Sequence, residues 1–406
     1  MTQPAAPLSG LRIIEVSSFV AAPLCGLTLS QLGAEVIRID PIGGASDYHR
    51  WPVTDQGESI YWTGLNKGKK SLAVNMRSDE GQALVQQLVT APGVGNGILV
   101  TNAGGRGWMS HDALSALRHD VITLEILGRR DGSPGVDYTV NAALGFPMMT
   151  GPADYAGVVN HVLPAWDMAC GLYAALAITA AVRKRDSTGT GSQITLPLED
   201  VALATAGTLG YLTEVQINGQ CREYGGNAVY GTYGIDFVTS DNERFMLVAL
   251  TTRHFRDLTA VTGTAVAVDA VESALGADFS TEADRYRHRE VLTALFSRWF
   301  REHSGSEVIA ALDKTSVLFE RYRSFADVVK SGELENNPMF SPLEQPRIGS
   351  YLAAANPASF NGSHFATGPA SEVGEDSTSI LADILGTTGE QTAELVAQGI
   401  IGVPSQ

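Results

Sequence analysis

The chain has 406 residues, of which 44% are hydrophobic and 7% aromatic, so it is long enough to exceed one compact core. Its 28 basic and 44 acidic side chains give a formal net charge of −16, which argues against nucleic acid as a partner, because neutralised phosphates supply most of that affinity. Three widely spaced cysteines, Cys25, Cys170 and Cys221, form neither a disulfide framework nor a metal-ligand pattern. We therefore expect two lobes, no metal site, and anion binding only in a local basic pocket.

We expect no targeting signal in the N-terminal segment. It lacks the basic and apolar regions of a signal peptide, and the most apolar stretch, residues 169–182, is short and rich in alanine. Unpaired cysteines are typical of a reducing compartment. The sequence therefore predicts a cytoplasmic protein with no membrane partner.

The N-terminal part alternates short apolar runs with segments of helical spacing. The predicted strands are residues 11–16, 34–40, 97–100 and 121–126, and the predicted helices are residues 22–32, 79–88 and 112–117. This alternation is typical of an α/β fold, with a Rossmann-like large domain around a parallel sheet. Ligands of such sheets usually bind at the carboxyl edge of the strands.

The sequence predicts a helix of small residues from Met168 onward. The later predictions are a strand at 192–196, a hairpin at 237–250, and helices at 199–216, 285–303, 307–313 and 379–399. We expect residues 1–200 to form the large domain, 201–224 a linker helix, 225–330 a smaller α+β domain, and 331–406 a linker that returns to the large domain.

Common cofactor and hydrolase motifs do not occur at the expected places. The turn after the first strand, residues 17–23, reads SSFVAAP, so it lacks the glycine pattern that opens a dinucleotide-binding helix. The sequence also lacks a Walker lysine motif, HExxH and GxSxG. We therefore expect no cofactor.

Asp167 directly precedes the helix of small residues and follows Pro164-Ala165-Trp166. This is the ordinary position of an N-cap aspartate. A helix N-terminus also stabilises negative charge, so one carboxylate oxygen can cap the helix while the other faces a ligand. With a reference pKa of about 3.9, an aspartate is ionised at neutral pH and can act as a nucleophile without a general base.

Other charged residues allow two interpretations each. His161, upstream of Asp167, is either a carboxylate ligand or the cap of a strand end. Arg129 and Asp137 follow the strand ending near residue 126, so they belong either to a site at the sheet edge or to a solvated charge cluster. The candidates for an anion pocket, or alternatively a solvated basic face, are Arg38, Lys67, Lys69, Lys70 and Arg106.

Long segments of the chain resemble the class III CoA-transferase family, which also contains the α-methylacyl-CoA racemases. The similar segments are residues 8–40, 65–81, 165–201 and 373–386, so the resemblance covers nearly the whole chain. It implies that Asp167 is the catalytic aspartate, that CoA is part of the substrate, and that the protein is an interlocked homodimer. It also implies that the CoA-binding residues are Arg38, Asn66, Lys67, Asn102 and Arg106.

Two departures from the family's pattern distinguish this chain from the racemases and from the formyl-CoA-type transferases. The racemases carry a histidine where this chain has Val136, and formyl-CoA-type transferases carry a glutamine where it has Val20. The strings DPIGG, RWPVT, GRRDG, VDYTVN, VVNHVLPAWD, NPMF and QPRIGSYL resemble the branch that moves CoA between the two carboxyl groups of one unsaturated dicarboxylic acid. That branch converts 2-methylfumaryl-CoA to 3-methylfumaryl-CoA through a covalent aspartyl intermediate.

This resemblance implies that the residues holding the dicarboxylic acid are Arg50, Arg129, Asp137 and His161. Three alternatives remain: transfer between two different molecules, racemisation of an acyl-CoA, and acyl-CoA binding without catalysis. Isotope labelling, solvent deuterium exchange and trapping of a covalent adduct respectively distinguish them.

Overall fold

The structure, a computed structural model, describes residues 6–105, 107–152, 154–155 and 157–404. The chain divides into two units. The first comprises Met1–Leu144, Val162–Asn218 and Glu333–Gln406, and the second comprises Gly145–His161 and Gly219–Gly332. Compared with the domains expected from the sequence, most of the linker helix belongs to the first unit, and residues 145–161 belong to the second.

The strands in chain order are β1 (Arg12–Val16), β2 (Glu35–Asp40), β3 (Lys70–Val74), β4 (Ile98–Thr101), β5 (Ile122–Leu127), β6 (Ser192–Pro197), β7 (Tyr233–Val238), β8 (Arg244–Ala249), β9 (Leu318–Arg321), β10 (Phe340–Gln345), β11 (Gly349–Ala354) and β12 (Ile401–Gly402). The helices are α1 (Ala21–Gln31), α2 (Ile60–Asn66), α3 (Asp79–Thr90), α4 (His111–Leu117), α5 (Asp137–Ala143), α6 (Ala165–Thr188), α7 (Leu198–Thr208), α8 (Tyr211–Asn218), α9 (Thr252–Val261), α10 (Ala265–Leu275), α11 (Glu282–Arg287), α12 (Arg289–Glu302), α13 (Gly305–Leu312), α14 (Phe325–Lys330), α15 (Glu333–Asn336), α16 (Ser377–Leu385) and α17 (Gly389–Ala397). Short 3₁₀ turns occupy Gly107–Met109 and Phe146–Met148.

The first unit is built on a seven-stranded sheet with the order β12-β3-β2-β1-β4-β5-β6. All neighbouring strands are parallel except β12, which runs antiparallel to β3. The central residue Ile14 pairs with Ile37 on one side and Leu99 on the other, and all three are buried, as expected for a parallel sheet covered on both faces. The chain order reverses between β1 and β4, which is the point where α/β sheets open a crevice at their carboxyl edge.

The predicted parallel α/β architecture is confirmed, and several finer predictions are wrong. The single helix predicted at 199–216 is two helices, α7 and α8, because Gly210 adopts a left-handed φ of 82° between them. The predicted tail helix at 379–399 is also two helices, because Gly386 ends α16 at φ 69° and the Thr388 side chain caps α17. Strand β3 and the hairpin β10–β11 were missed.

The chain end returns to the sheet of the first unit. Strand β12 pairs with β3, and the Asp376 carboxylate accepts a hydrogen bond of 2.8 Å from the Ser71 backbone N–H. The Ser377 hydroxyl donates to the Gly402 carbonyl oxygen at 2.8 Å. Asp376 and Ser377 therefore anchor the tail to the sheet.

The second unit contains an antiparallel sheet of order β7-β8-β9 and helices α9 to α14. The predicted hairpin is confirmed as β7 and β8, with Asn242 in its turn at φ 64°. The core is rich in aromatic side chains, among which Phe237 and Phe300 stack with ring centroids 4.2 Å apart. This unit therefore has its own hydrophobic core.

Helix α6 is longer than its apolar sequence suggested, because it begins at Ala165 and ends at the left-handed Gly189. Among the described residues it alone has the length and composition needed to cross a membrane, and 44% of its most apolar stretch is buried inside the protein. The core helices of soluble proteins can have the same length and apolar composition. Its buried side includes Cys170, Ala174 and Ile178, and it packs against α1 and β5.

Candidate active site

A cavity of about 530 Å³ lies at the carboxyl edge of the sheet, where the β1–β4 crevice is expected. Its volume is within the range of small-molecule sites. It is lined from the turn after β1, the loops after β2, β4 and β5, and the start of α6 and α7. Its lining residues include Phe19, Arg50, Tyr61, Asn102, Asp137 and Asp167.

Asp167 is the third residue of α6, not its N-cap, so the predicted capping role is wrong. The N-cap is Pro164, whose side chain makes no capping hydrogen bond. The cap comes from Asp137, the first residue of α5, whose Oδ2 accepts from the backbone N–H of Trp166 at 2.7 Å and of Asp167 at 3.1 Å. The Asp167 side chain is therefore available to line the cavity.

The surroundings of Asp167 make its ionised form costly. The pKa of Asp167 is raised to about 7, mainly by burial and also by the negative charge of Asp137, while the positive charge of Arg50 opposes the rise. The ordinary pKa of about 3.9 assumed from the sequence is therefore wrong for this environment.

Arg50 reaches the cavity from the loop between β2 and α2. Its guanidinium carbon lies 5.5 Å from the ring centroid of Phe19 and 5.3 Å from that of Tyr61, within cation–π range of both. Burial raises the pKa of Tyr61 to about 12, so the phenol is neutral and remains a hydrogen-bond donor. The two aromatic rings therefore support a cation that acts electrostatically on Asp167.

The turn after β1 is held in an uncommon conformation. Phe19 has a φ of 65°, which is rare for a residue with a side chain, and its backbone N–H donates to Asp47 Oδ2 at 2.7 Å. Asn102 Oδ1 accepts from the Ser18 backbone N–H at 3.0 Å, and Asn102 Nδ2 donates to the Ser18 carbonyl oxygen at 2.8 Å. Asn102 thus lines the cavity, as a CoA contact requires, and also fixes the turn.

Behind this turn is a buried group of five charged residues, here called the Arg38 cluster: Glu15, Arg38, Asp40, Asp47 and Lys69. Arg38 donates to both carboxylate oxygens of Asp40, at 2.8 and 3.0 Å, and lies 3.6 Å from Asp47. Burial alone would lower the pKa of Arg38, but the carboxylates of Asp40, Glu15 and Asp47 raise it above its ordinary value.

The Lys69 ammonium completes the cluster. It donates to Glu15 Oε1 at 2.9 Å and to Asn66 Oδ1 at 2.9 Å, and burial lowers the pKa of Lys69 to about 8. Asn66 Oδ1 also accepts from Arg38 at 3.1 Å. Arg38 and Asn66, both predicted to bind CoA, are thus buried against protein groups and do not line the cavity.

The remaining predicted residues are placed as follows. Lys67 is partly buried, and burial lowers its pKa. Arg129 is partly buried, does not line the cavity, and its Nε has no hydrogen-bond partner among the described residues. His161 belongs to the second unit, and Arg106 lies outside the described residues. Their binding roles stay predictions.

Three residues around the site were missed: Phe19, Asp47 and Tyr61. Phe19 stands in the SSFVAAP turn, but a left-handed φ at a phenylalanine has no sequence signature. Tyr61 lies on α2, which was not predicted, and Asp47 is one acidic residue in a loop. The available signal for Phe19 and Asp47 was that each follows soon after a predicted strand, whereas Tyr61 had no such signal.

Nearly the whole chain is similar to known proteins. The sequence profile of CoA-transferase family III matches residues 8–377. The chain is 44% identical over 403 residues to "2-methylfumaryl-CoA isomerase" of Chloroflexus aurantiacus, covering 98% of both chains. It is 26% identical to "Succinyl-CoA--D-citramalate CoA-transferase" of the same organism, covering 98% of this chain and 99% of the relative.

Solved structures share the fold of this chain. A CAIB/BAIF family protein from Brucella suis superimposes with a TM-score of 0.77 at 23% identity, covering 94% of this chain and 100% of the other. The architecture is therefore shared well beyond recognisable sequence identity. The family resemblance predicted from the sequence is confirmed, and the chain belongs to CoA-transferase family III.

Proposed function

We propose that this protein moves CoA from the C1 to the C4 carboxyl group of 2-methylfumaric acid, so that 2-methylfumaryl-CoA becomes 3-methylfumaryl-CoA. The observation that carries the proposal is the Asp167 carboxyl group, which lines the cavity at the sheet edge and has no hydrogen-bond partner among the described residues. The relative with that isomerase name, 44% identical over nearly the full length, supports this choice of substrate.

The proposed reaction uses Asp167 first as a nucleophile and then as the carrier of CoA. A carboxylate oxygen of Asp167 bonds to the C1 acyl carbon, the carbon–sulfur bond breaks, and CoA leaves as a thiolate. The thiolate then attacks the aspartyl carbonyl of the mixed anhydride, giving an aspartyl-CoA thioester and free 2-methylfumarate. The acid turns, its C4 carboxylate repeats these steps in reverse, and Asp167 is released unchanged.

The second half of this reaction requires the free dianion to stay in the site. Arg50 is the best placed of the predicted contacts, because it lines the same cavity as Asp167 and its position is supported by Phe19 and Tyr61. Charge-assisted hydrogen bonds to a carboxylate are about twice as strong as neutral ones. We assign Arg50 to the carboxylate that is not reacting, with Arg129 and His161 as further candidates.

Holding the acid also makes the second transfer effectively unimolecular. Well-oriented groups reach effective molarities of about 10⁵ M, so added free acid competes poorly. The CoA portion is substrate and not a cofactor. Its proposed contacts include Asn102, which lines the cavity, and Lys67, which is partly buried at the end of α2.

The test is incubation of the purified protein with 2-methylfumaryl-CoA alone, followed by chromatography. We expect its C4 isomer to accumulate without any added acid. Addition of isotope-labelled 2-methylfumarate is expected to leave the product unlabelled. No isomer would overturn the proposed function, and rapid incorporation of label would show transfer between separate molecules instead.

Retention is tested separately by variants. Arg50→Ala is expected to release measurable free 2-methylfumarate during turnover, because the cation that holds the second carboxylate is gone. Asp186→Ala, which changes an exposed residue of α6 far along the helix, is the matched control. Leakage unchanged from the wild type would remove Arg50 from this role.

We also propose a homodimer of interlocked subunits. Apolar side chains are exposed along α6 to α8 in the first unit, namely Leu172, Tyr173, Leu176, Leu209 and Ile217. Contiguous exposed apolar surface on helices is typical of subunit interfaces. Leu176→Glu is expected to yield monomers in analytical ultracentrifugation, and an unchanged sedimentation coefficient would contradict this interface.

Localisation in the cytoplasm belongs to the same proposal. The cysteines of the chain are free, with Cys25 and Cys170 buried and Cys221 exposed. An exposed free thiol is typical of a reducing compartment. Fractionation of the native cells, with detection of this protein by mass spectrometry, tests the assignment.

A further inference from the structure

The carboxyl group of Asp137 is buried at the start of α5 and is 2% exposed. Its Oδ2 atom accepts both hydrogen bonds that cap α6, from the N–H groups of Trp166 and Asp167. Its Oδ1 atom has no hydrogen-bond partner among the described residues. A buried carboxylate that is only half satisfied is costly, which calls for a role beyond packing.

The first consequence of this arrangement is geometric. Pro164 cannot cap α6 with its side chain, so the first turn of the helix is fixed by Asp137 from another element. One of the two bonds is made by the backbone of Asp167 itself. Hydrogen bonds from backbone N–H groups to a carboxylate are short and strong. Asp137 therefore fixes the backbone position from which the Asp167 side chain extends.

The second consequence is electrostatic. The groups that act on Asp167 come from four elements: Asp137 on α5, Arg50 in the loop after β2, Tyr61 on α2 and Cys170 on α6. Tyr61 and Cys170 are neutral at physiological pH, because burial raises the pKa of each. Arg50 is exposed, so solvent screens its attraction. The negative charge of Asp137 is therefore the least screened of the charges that act on Asp167.

We propose that Asp137 is a positioning residue that holds Asp167 in the cavity and also favours its acylation, because acylation removes one of two neighbouring negative charges. This inference rests on the proposed function of Asp167 as nucleophile. When Asp167 bonds to the acyl carbon, the negative charge departs on the CoA thiolate. The repulsion is absent in the anhydride and in the aspartyl thioester, and it returns when Asp167 is released.

Asp137→Asn separates the two roles, because its amide oxygen can still accept both N–H bonds while the charge is gone. We expect the acid limb of the kcat/KM profile to move to lower pH. We also expect the covalent adduct trapped by hydroxylamine during turnover to fall by about tenfold, as loss of one neighbouring charge commonly shifts such an equilibrium. Asp186→Asn, on the exposed part of α6, is the control and is expected to change neither.

Asp137→Glu is the complementary variant, since it keeps the charge and displaces the cap. Its acid limb is expected to stay at the wild-type pH while kcat falls. If Asp137→Asn does not fold, this variant decides the matter, and an acid limb that moves to lower pH in Asp137→Glu would overturn the electrostatic role.

A titration without substrate makes the two proposals separable. The ¹³C carboxyl resonance that disappears in Asp167→Asn is expected to titrate near neutral pH in the wild type and at lower pH in Asp137→Asn. An unmoved resonance together with an unmoved acid limb would overturn the inference. A moved resonance in a protein that forms no isomer would instead overturn the proposed function and leave the positioning role intact.

Discussion

Two buried groups of acidic residues lie beside the same cavity, and they are partnered in opposite ways. In the Arg38 cluster, three carboxylates face two buried cations, and most of their oxygens accept hydrogen bonds. In the pair Asp137 and Asp167, two carboxylates interact, and the cation that acts on Asp167, Arg50, is exposed. The first group fixes the turn after β1, and the second presents a carboxylate to the cavity.

The difference teaches how one sheet edge can hold both a rigid support and a reactive group. Paired charges stabilise the folded state only if their geometry is good. A carboxylate that is paired in this way is not free to react with a substrate. An unbalanced carboxylate pair raises the pKa of one member and costs stability, as perturbed groups in active sites commonly do.

The largest effect is expected from Asp167→Ala. This variant removes the nucleophile, and isomerisation of 2-methylfumaryl-CoA is expected to fall by about 10³-fold or more, as loss of a covalent nucleophile does elsewhere. Circular dichroism is expected to be unchanged, because Asp137 still caps α6. Asp186→Ala is the control, and retention of most of the activity in Asp167→Ala would remove the covalent mechanism.

Much of the fold was predictable because the sheet has strong local signals. The buried strands β1, β2 and β5 read as short apolar runs, and the helices between them have a clear period. Errors arose where one residue reverses the backbone, as at Gly210 and Gly386, since a glycine inside an apolar period does not reveal its φ. Strand β12 has two residues, too few for any pattern.

The site was predictable in part. Asp167 and Arg50 were found through long strings that resemble the family, and the structure brings both to one cavity. The role of Asp137 as the cap of α6 could not be predicted, because it depends on two residues 30 positions apart meeting in space. The same holds for the burial of Arg38, whose partners come from β1, β2 and the following loop.

Arg38→Met is expected to have the second largest effect, here on stability. It leaves the Asp40 carboxylate buried without its cation, and breaking a buried pair costs about 3–5 kcal/mol of unfolding free energy. Urea denaturation measures this loss. Adding Asp40→Leu is expected to recover part of it, because the uncompensated charge is then removed. A loss below about 1 kcal/mol would mean that the cluster does not support the fold.

Asp167→Asn is expected to stabilise the protein in a pH-dependent way. The folded-state pKa of Asp167, about 7, is above its unfolded value, so the wild type loses stability as the pH rises from about 4 to about 7. The uncharged variant escapes that loss. Its advantage in unfolding free energy is expected to grow over this range, level off above it, and reach about 2–4 kcal/mol. Asp186→Asn is the control. A gain in unfolding free energy that does not depend on pH would contradict a raised pKa of Asp167 in the folded state.

The smallest effect is expected at a surface pair that matches Arg38 and Asp40. Arg12 on β1 and Lys70 on β3 both pair with Glu35 on β2, and all three side chains are partly exposed. Exposed pairs contribute about 0–1 kcal/mol and are screened by salt, so Arg12→Met is expected to lower the unfolding free energy by less than about 1 kcal/mol, and by less still at high ionic strength. A loss as large as that of Arg38→Met would show that burial is not what distinguishes the two arginines, because both contact carboxylates on the same strand.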